Sequence, residues 1–162
     1  MAVKILQKEN KILRATAKEV AVKDIKGKEI KNLIKKMEIA LLENKEGVAI
    51  AAPQVGESLR IFIIAKRIFG QEIPIPNFVF INPIIKKISK KKNPMNEGCL
   101  SVANYYGNVK RAERLTVEAV DQNGKKFSFS FSGILAQIVQ HEIDHLNGVL
   151  FIDKVEDLQK LT

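Results

Sequence analysis

The sequence predicts an α+β fold in which antiparallel β-sheets surround a central helix, with a further helix toward the N-terminus. Three patterns predict it. Helical periodicity recurs in two separated segments, and strand-like segments fill the region between them. The later helix is apolar around most of its circumference, so it must be covered by strands on several sides.

The first helix is expected over Lys28 to Asn44. Ile30, Leu33, Ile34, Met37, Ala40 and Leu41 recur at helical spacing, Lys31, Lys35, Lys36 and Glu38 take the other face, and Gly47 suits the exit. Strands follow at Arg60 to Ala65, rich in β-branched residues, and at Phe78 to Asn82, closed by Pro83. Leu115 to Val120 and Lys125 to Phe131 alternate apolar and polar residues around Asp121-Gln122-Asn123-Gly124, a turn signal, and so form a hairpin. Ser132 is placed to N-cap a second helix, Gly133 to Asn147, with Gly148 beyond its end. Val149 to Asp153 reads as a closing strand, followed by a short polar tail.

The length suits one domain over residues 1–162, and no repeat or low-complexity linker divides it. No apolar run approaches the roughly 20 residues of a membrane span, and the first residues lack the apolar core of a secretory leader. A single cysteine cannot form an internal disulfide, which points to a reducing, cytoplasmic setting. The net charge of +9, from 27 Lys plus Arg against 18 Asp plus Glu, favours anionic partners such as RNA or a ribosome surface, or else reflects a solvated lysine-rich surface. Its densest part, Lys86 to Lys92, reads as a strand end entering an exposed loop, without the aromatic residues of a single-strand stacking platform.

The chemistry concentrates in three segments. The chain's two histidines both lie in His141-Glu142-Ile143-Asp144-His145. On a helix, residues four apart share a face, so both imidazoles can bind one metal ion while Glu142 stands beside them as a general base. The buried charges of Glu142 and Asp144 would need compensation, which such a metal would supply. Known zinc-protease layouts fit poorly: Phe151 stands where a third histidine would be, and Glu156 follows too soon for a glutamate on a later helix. Cys99, in Glu97-Gly98-Cys99-Leu100-Ser101, is either a third ligand, leaving an open position for water, or a small buried hydrophobe. The small-residue run Gly47 to Gly56 suggests a backbone that lies close to something, with Gln54 aimed by the stiff Pro53 before it, or else a tight loop beside the core helix.

Together these segments resemble the peptide deformylase family, in a bacterial type-1-like form. The family's glycine-small-Ala-Ala-Pro-Gln, Glu-Gly-Cys-Leu-Ser and Gln-His-Glu-x-x-Asp-His-Leu motifs match Gly47 to Gln54, Glu97 to Ser101 and Gln140 to Gly148, in that order. Leu13-Arg14, Arg111 and Gly148 to Asp153 extend the resemblance nearly end to end. Two departures stand out: Ala49 replaces a frequent glycine, placing a methyl group near the expected substrate strand, and Ala103-Asn104 replaces a common Pro-Gly.

The resemblance implies a peptide-deformylase-like fold and a hydrolase that removes the formyl group from the formyl-methionine of nascent chains, releasing formate. It implies one divalent metal on Cys99, His141 and His145, natively Fe2+, with Zn2+, Ni2+ or Co2+ as substitutes. Water activated at the metal would attack the formyl carbon, Glu142 acting as general acid and base. The Gln54 amide and the Leu100 backbone N–H would form the oxyanion hole. Gly47, Val48, Ala49, Met95, Glu97, Gly98, Ile134 and Ile138 are the implied substrate-binding positions, with Val48, Met95, Ile134, Ile138 and His141 around the methionine side chain. N-formylmethionyl nascent peptides are the expected partners, with ribosome contact possible through the basic surface and no membrane or DNA partner. The alternatives are a small metallopeptidase of the His-Glu-x-x-His type and a ribosome-associated homologue with a weak or vestigial site.

Overall fold

One five-stranded antiparallel sheet separates two helices, and the two faces of its strands explain both. In the computed structural model, which describes residues 2–69 and 78–162, the first helix is α1, Lys28–Glu43. The strands that follow are β1 (Ala49–Ala51), β2 (Ile61–Ile64), β3 (Val79–Ile88), β4 (Lys92–Cys99), β5 (Val102–Ala112), β6 (Arg114–Val120) and β7 (Lys126–Ser132). Helix α2, Gly133–Leu146, and a short β8, Gln159–Lys160, complete the order. The large sheet runs β1-β2-β3-β6-β7, and β4-β5-β8 form a second sheet.

Because side chains alternate along a strand, Ile50, Ile61, Ile63, Val79 and Ile81 pack with Ile30, Leu33, Ile34, Met37 and Leu41 of α1. Their neighbours Ala49, Ala51, Phe62, Ile64 and Phe80 meet Ala136, Ile138, Val139, Ile143 and Leu146 of α2. Phe62 stacks on Phe80 with centroids 4.5 Å apart, and Phe131 approaches Phe80 at 5.9 Å. Burying each such side chain contributes about 1.5–3 kcal/mol. The expected central helix is therefore present, with the large sheet on one side.

The small sheet covers its other side through polar contacts. Gln140 accepts from the Ala112 N–H (2.9 Å) and donates to the Ala112 carbonyl (3.0 Å), pairing with β5 as another strand would. Gln137 donates to the Asn96 carbonyl of β4 at 2.8 Å. These buried amides are satisfied by backbone, as burial requires.

Several sequence expectations need correction. Pro83 does not close its strand, because β3 runs on to Ile88. A register shift between Ile81 and Ile84, with Asn82 at φ 52°, lets the ladder tolerate a residue without an N–H. The Asn82 side chain accepts from the N–H and donates to the carbonyl of Val20, each at 2.9 Å. Ser132 occupies the N-cap position of α2 but makes no side-chain capping bond. Val149 to Asp153 is not a strand: Phe151–Asp153 forms a 3-10 turn in which the Leu150 N–H donates to the Asp153 carboxylate. The polar tail contributes β8, paired with Tyr105 and Tyr106. The hairpin is as expected, with Asp121 accepting from the Asn123 and Lys125 N–H groups and Gly124 at φ 82°. No helix of the described residues is long and apolar enough to cross a membrane.

Candidate metal centre and active site

Three elements meet at the site: α2, the end of β4, and the turn after β1. Ile134, Ile138, His141 and His145 lie along one stripe of α2 by helical spacing. A register shift at Gly98 and Cys99 breaks the β4–β5 ladder and brings Cys99 opposite Val102. Such irregularities re-aim a side chain; here Cys99 Sγ lies 3.3 Å from His145 Nε2. The ligand atoms of Cys99, His141 and His145 all lie within 4.8 Å of one another. One cation at the bond lengths typical of thiolate and imidazole, about 2.0–2.3 Å, can span that triangle. The donor set therefore fits a divalent metal, and two buried atoms of neighbouring α2 side chains, Glu142 Oε2 and His145 Nδ1, have no hydrogen-bond partner among the described residues.

The surroundings fix how each histidine presents itself. Glu97 is buried, and burial alone would push its carboxyl up. Hydrogen bonds from Arg111 and His141 outweigh that and hold it at about 2. An ionised carboxylate can only accept, so His141 Nδ1–H must donate to Glu97 Oε1 (2.8 Å), which leaves Nε2 as the ring nitrogen that could face a metal. For His141, burial favours the neutral ring, but bonds to Cys99 and Glu97 outweigh it and raise its pKa well above the ordinary value. His145 is pulled well below that value by burial, then by the His141 charge. Burial pushes Glu142 up to about 7 against the opposing charge of His141.

Arg111 anchors this arrangement. Its guanidinium makes two bonds to Glu97 (2.6 and 2.8 Å) and one to Asp144 (2.7 Å). Lys154 also reaches Asp144, at 3.1 Å. The Asp144 charge is thus compensated by Arg111 and Lys154, not by a metal as the sequence suggested. Arg111 was legible only as part of the family pattern. The chemical signal for it was present, since two acidic residues of the motif segments needed a buried cation.

Gln54, 2% exposed, sits in the 3-10 turn Ala52–Val55 after β1. Its Oε1 accepts from the Ala51 N–H at 2.9 Å, which orients the amide. Its Nε2 then faces Ser101 Oγ at 3.1 Å and Cys99 Sγ at 3.6 Å. Leu100 directly follows Cys99, and a Cβ added to Gly47 would come within 2.6 Å of Leu100 Cδ1, so these two loops touch. The Leu6 N–H donates to the Gln54 carbonyl and the Gln7 side chain to the Leu100 carbonyl (2.8 and 3.0 Å), bracing both loops. From sequence Ser101 was only the last residue of the Glu97 to Ser101 motif, with no role of its own, and Gln7 was not picked out.

The remaining sequence candidates differ in exposure. Ala49 and Ile138 are buried, Met95 is half-buried, Gly98 is exposed, and Val48 and Ile134 are 42% and 67% exposed. Ala49 pairs with Ile64 and packs in the α2-side core. Asn104 takes φ 71°, the left-handed region that Asn tolerates better than most residues, at the glycine position of the family's Pro-Gly.

The model of the polypeptide deformylase family matches residues 2–161. The chain belongs to the polypeptide deformylase family. It is 40% identical over 151 residues to a peptide deformylase of Borreliella burgdorferi, covering 93% of this chain and 86% of that protein. Its identity to one from Microchaete diplosiphon is 38% over 149 residues, 91% of this chain and 76% of the other. Among solved structures, a Met-Ala-Ser-bound class I type b peptide deformylase from Acinetobacter baumannii matches with TM-score 0.85 and 36% identity over 95% of this chain and 99% of that one. The Thermotoga maritima peptide deformylase matches with TM-score 0.84 and 31% identity over 97% and 99%. This deformylase is a metal-dependent hydrolase that removes N-formyl groups from polypeptides.

Proposed function

We propose that Cys99, His141 and His145 hold the metal, that Glu142 is the general acid and base, and that the Gln54 amide and the Leu100 N–H form the oxyanion hole. The observation that carries this reading is the convergence of three ligand atoms within 4.8 Å. A buried carboxylate stands beside them with one oxygen unpartnered, and a fixed amide lies 3.6 Å from the thiol sulfur. When bound, the cation supplies a Lewis acid that lowers the pKa of water and polarises the formyl carbonyl. Ferrous iron is the proposed native metal, with zinc, nickel or cobalt as substitutes, since a mixed sulfur and nitrogen set suits all of them.

Glu142 takes a proton from the attacking water and returns it to the leaving amine nitrogen, yielding formate and a free N-terminus. Gln54 and Leu100 donate hydrogen bonds to the oxygen that gains charge as the carbonyl carbon becomes tetrahedral. The substrate is an N-formylmethionyl nascent peptide, bound as an added strand. β1 and β4 are both sheet edges, which supports addition there. Gly47, Val48 and Ala49 on one side, with Met95, Glu97 and Gly98 on the other, flank its path. Val48, Met95, Ile134, Ile138 and His141 enclose the methionine side chain. The Met-Ala-Ser bound to the Acinetobacter relative supports a peptide that begins with methionine.

We place the enzyme in the cytoplasm, where nascent chains arise, and propose that Lys86 to Lys92 touches ribosomal RNA. Lys86, Lys87, Lys90, Lys91 and Lys92 are exposed, with Lys91 paired to Glu113 at 3.5 Å. Reversing these lysines to Glu should reduce co-sedimentation with ribosomes, and unchanged pelleting would remove this contact. The function itself is tested by formate release from formyl-Met-Ala. Formate from that substrate and no cleavage of unformylated peptides is expected, whereas peptide-bond cleavage would favour a metallopeptidase.

A further inference from the structure

The geometry points to Ser101 as a positioning residue that aims the Gln54 amide, an inference that rests on the oxyanion role proposed for Gln54. Ser101 is fully buried. Its Oγ accepts from Gln54 Nε2 at 3.1 Å, while its backbone N–H donates to Cys99 Sγ at 3.4 Å.

A primary amide has two N–H donors and one acceptor oxygen. The oxygen of Gln54 is occupied by the Ala51 N–H, which can only donate, so the amide cannot flip. Ser101 Oγ then engages one Nε2 hydrogen. The other donates to Cys99 Sγ over a long 3.6 Å contact, and is the one a formyl oxygen would draw away from the sulfur. Two bonds thus fix the plane and rotation of the amide before substrate arrives. Preorganisation of this kind lets a donor act in the transition state without reorganisation at that moment. Ser101 touches neither substrate nor reacting atoms and acts only through Gln54.

Replacing Ser101 by Ala deletes the Oγ contact and keeps the backbone N–H to Cys99. The test compares wild type, Ser101→Ala, Gln54→Ala and the double variant as metal-loaded full-length proteins, measuring kcat, KM, metal content and melting temperature. Loss of one neutral hydrogen bond predicts a roughly fivefold to tenfold fall in kcat for Ser101→Ala, with KM and metal content unchanged. Gln54→Ala alone should lose about 100-fold or more, as oxyanion donors do. In the Gln54→Ala background, Ser101→Ala should cost nothing further in kcat, since its effect runs through the amide. Three outcomes overturn the inference while leaving the oxyanion hole intact: full kcat in Ser101→Ala, effects that multiply in the double variant, or a loss that follows metal content. A Gln54→Ala protein with normal kcat instead removes the oxyanion reading itself.

Discussion

Arg111 of β5 lies opposite Asn93 and reaches diagonally to Glu97 of β4 through two hydrogen bonds of 2.6 and 2.8 Å, with side chains 2% and 3% exposed. The pair is less a source of stability than a device for orientation. Burying two charges costs about what their attraction returns, but the ionised Glu97 fixes the tautomer and ring direction of His141.

Removing one partner leaves the other charge buried and unpaired. Arg111→Leu should therefore destabilise the fold by about 3–5 kcal/mol and weaken metal retention by about 10- to 100-fold. Denaturant melts with metal titration check both, and a variant with wild-type stability and affinity would refute the anchoring role.

The same carboxylate sets an acid limit. Its pKa in the fold, about 2, lies below the ordinary value of 4.5, so its contribution to stability is complete above pH 4.5 and is lost as pH falls through about 2. That shift corresponds to roughly 3 kcal/mol. Melting temperatures of metal-free protein between pH 6 and pH 3 should fall more steeply for wild type than for Glu97→Gln. Parallel profiles would contradict the assignment.

The pocket proposal predicts selectivity. Ile138 is 7% exposed at the floor of the stripe that His141 continues. Ile138→Ala should lower kcat/KM for formyl-Met peptides by about tenfold or more, given the cost of deleting buried apolar atoms, while affecting formyl-Ala peptides less. Equal rates of the wild-type enzyme on formyl-Met and formyl-Asp peptides would argue against an apolar pocket.

How much of this was legible in the sequence depended on how each residue shows its role. α1 and the β6–β7 hairpin follow from periodicity, because each has one buried and one wetter face, whereas α2 shows itself as a long apolar run followed by Gly148. β1 does not, since Ala49, Ile50 and Ala51 are buried on both sides and leave no alternation. β4 was missed for the opposite reason: Lys92, Asn93, Pro94 and Gly98 are poor strand formers held by pairing with β5. In the site, scarcity made His141, His145 and Cys99 conspicuous. The residues that orient them are common polar types whose partners are remote in sequence, as with Arg111 and Asp144, 33 positions apart.

The central claim is that Glu142 moves the proton at a metal held by Cys99, His141 and His145. It is tested most directly by metal content and formate release from formyl-Met-Ala for anaerobically purified wild type, Cys99→Ser and Glu142→Ala. Wild type should carry one iron per chain and release formate, and Cys99→Ser should lose the metal and most activity. Glu142→Ala should keep the metal and lose about 100-fold or more in kcat; a metal-loaded Glu142→Ala protein that turns over at the wild-type rate would contradict the account.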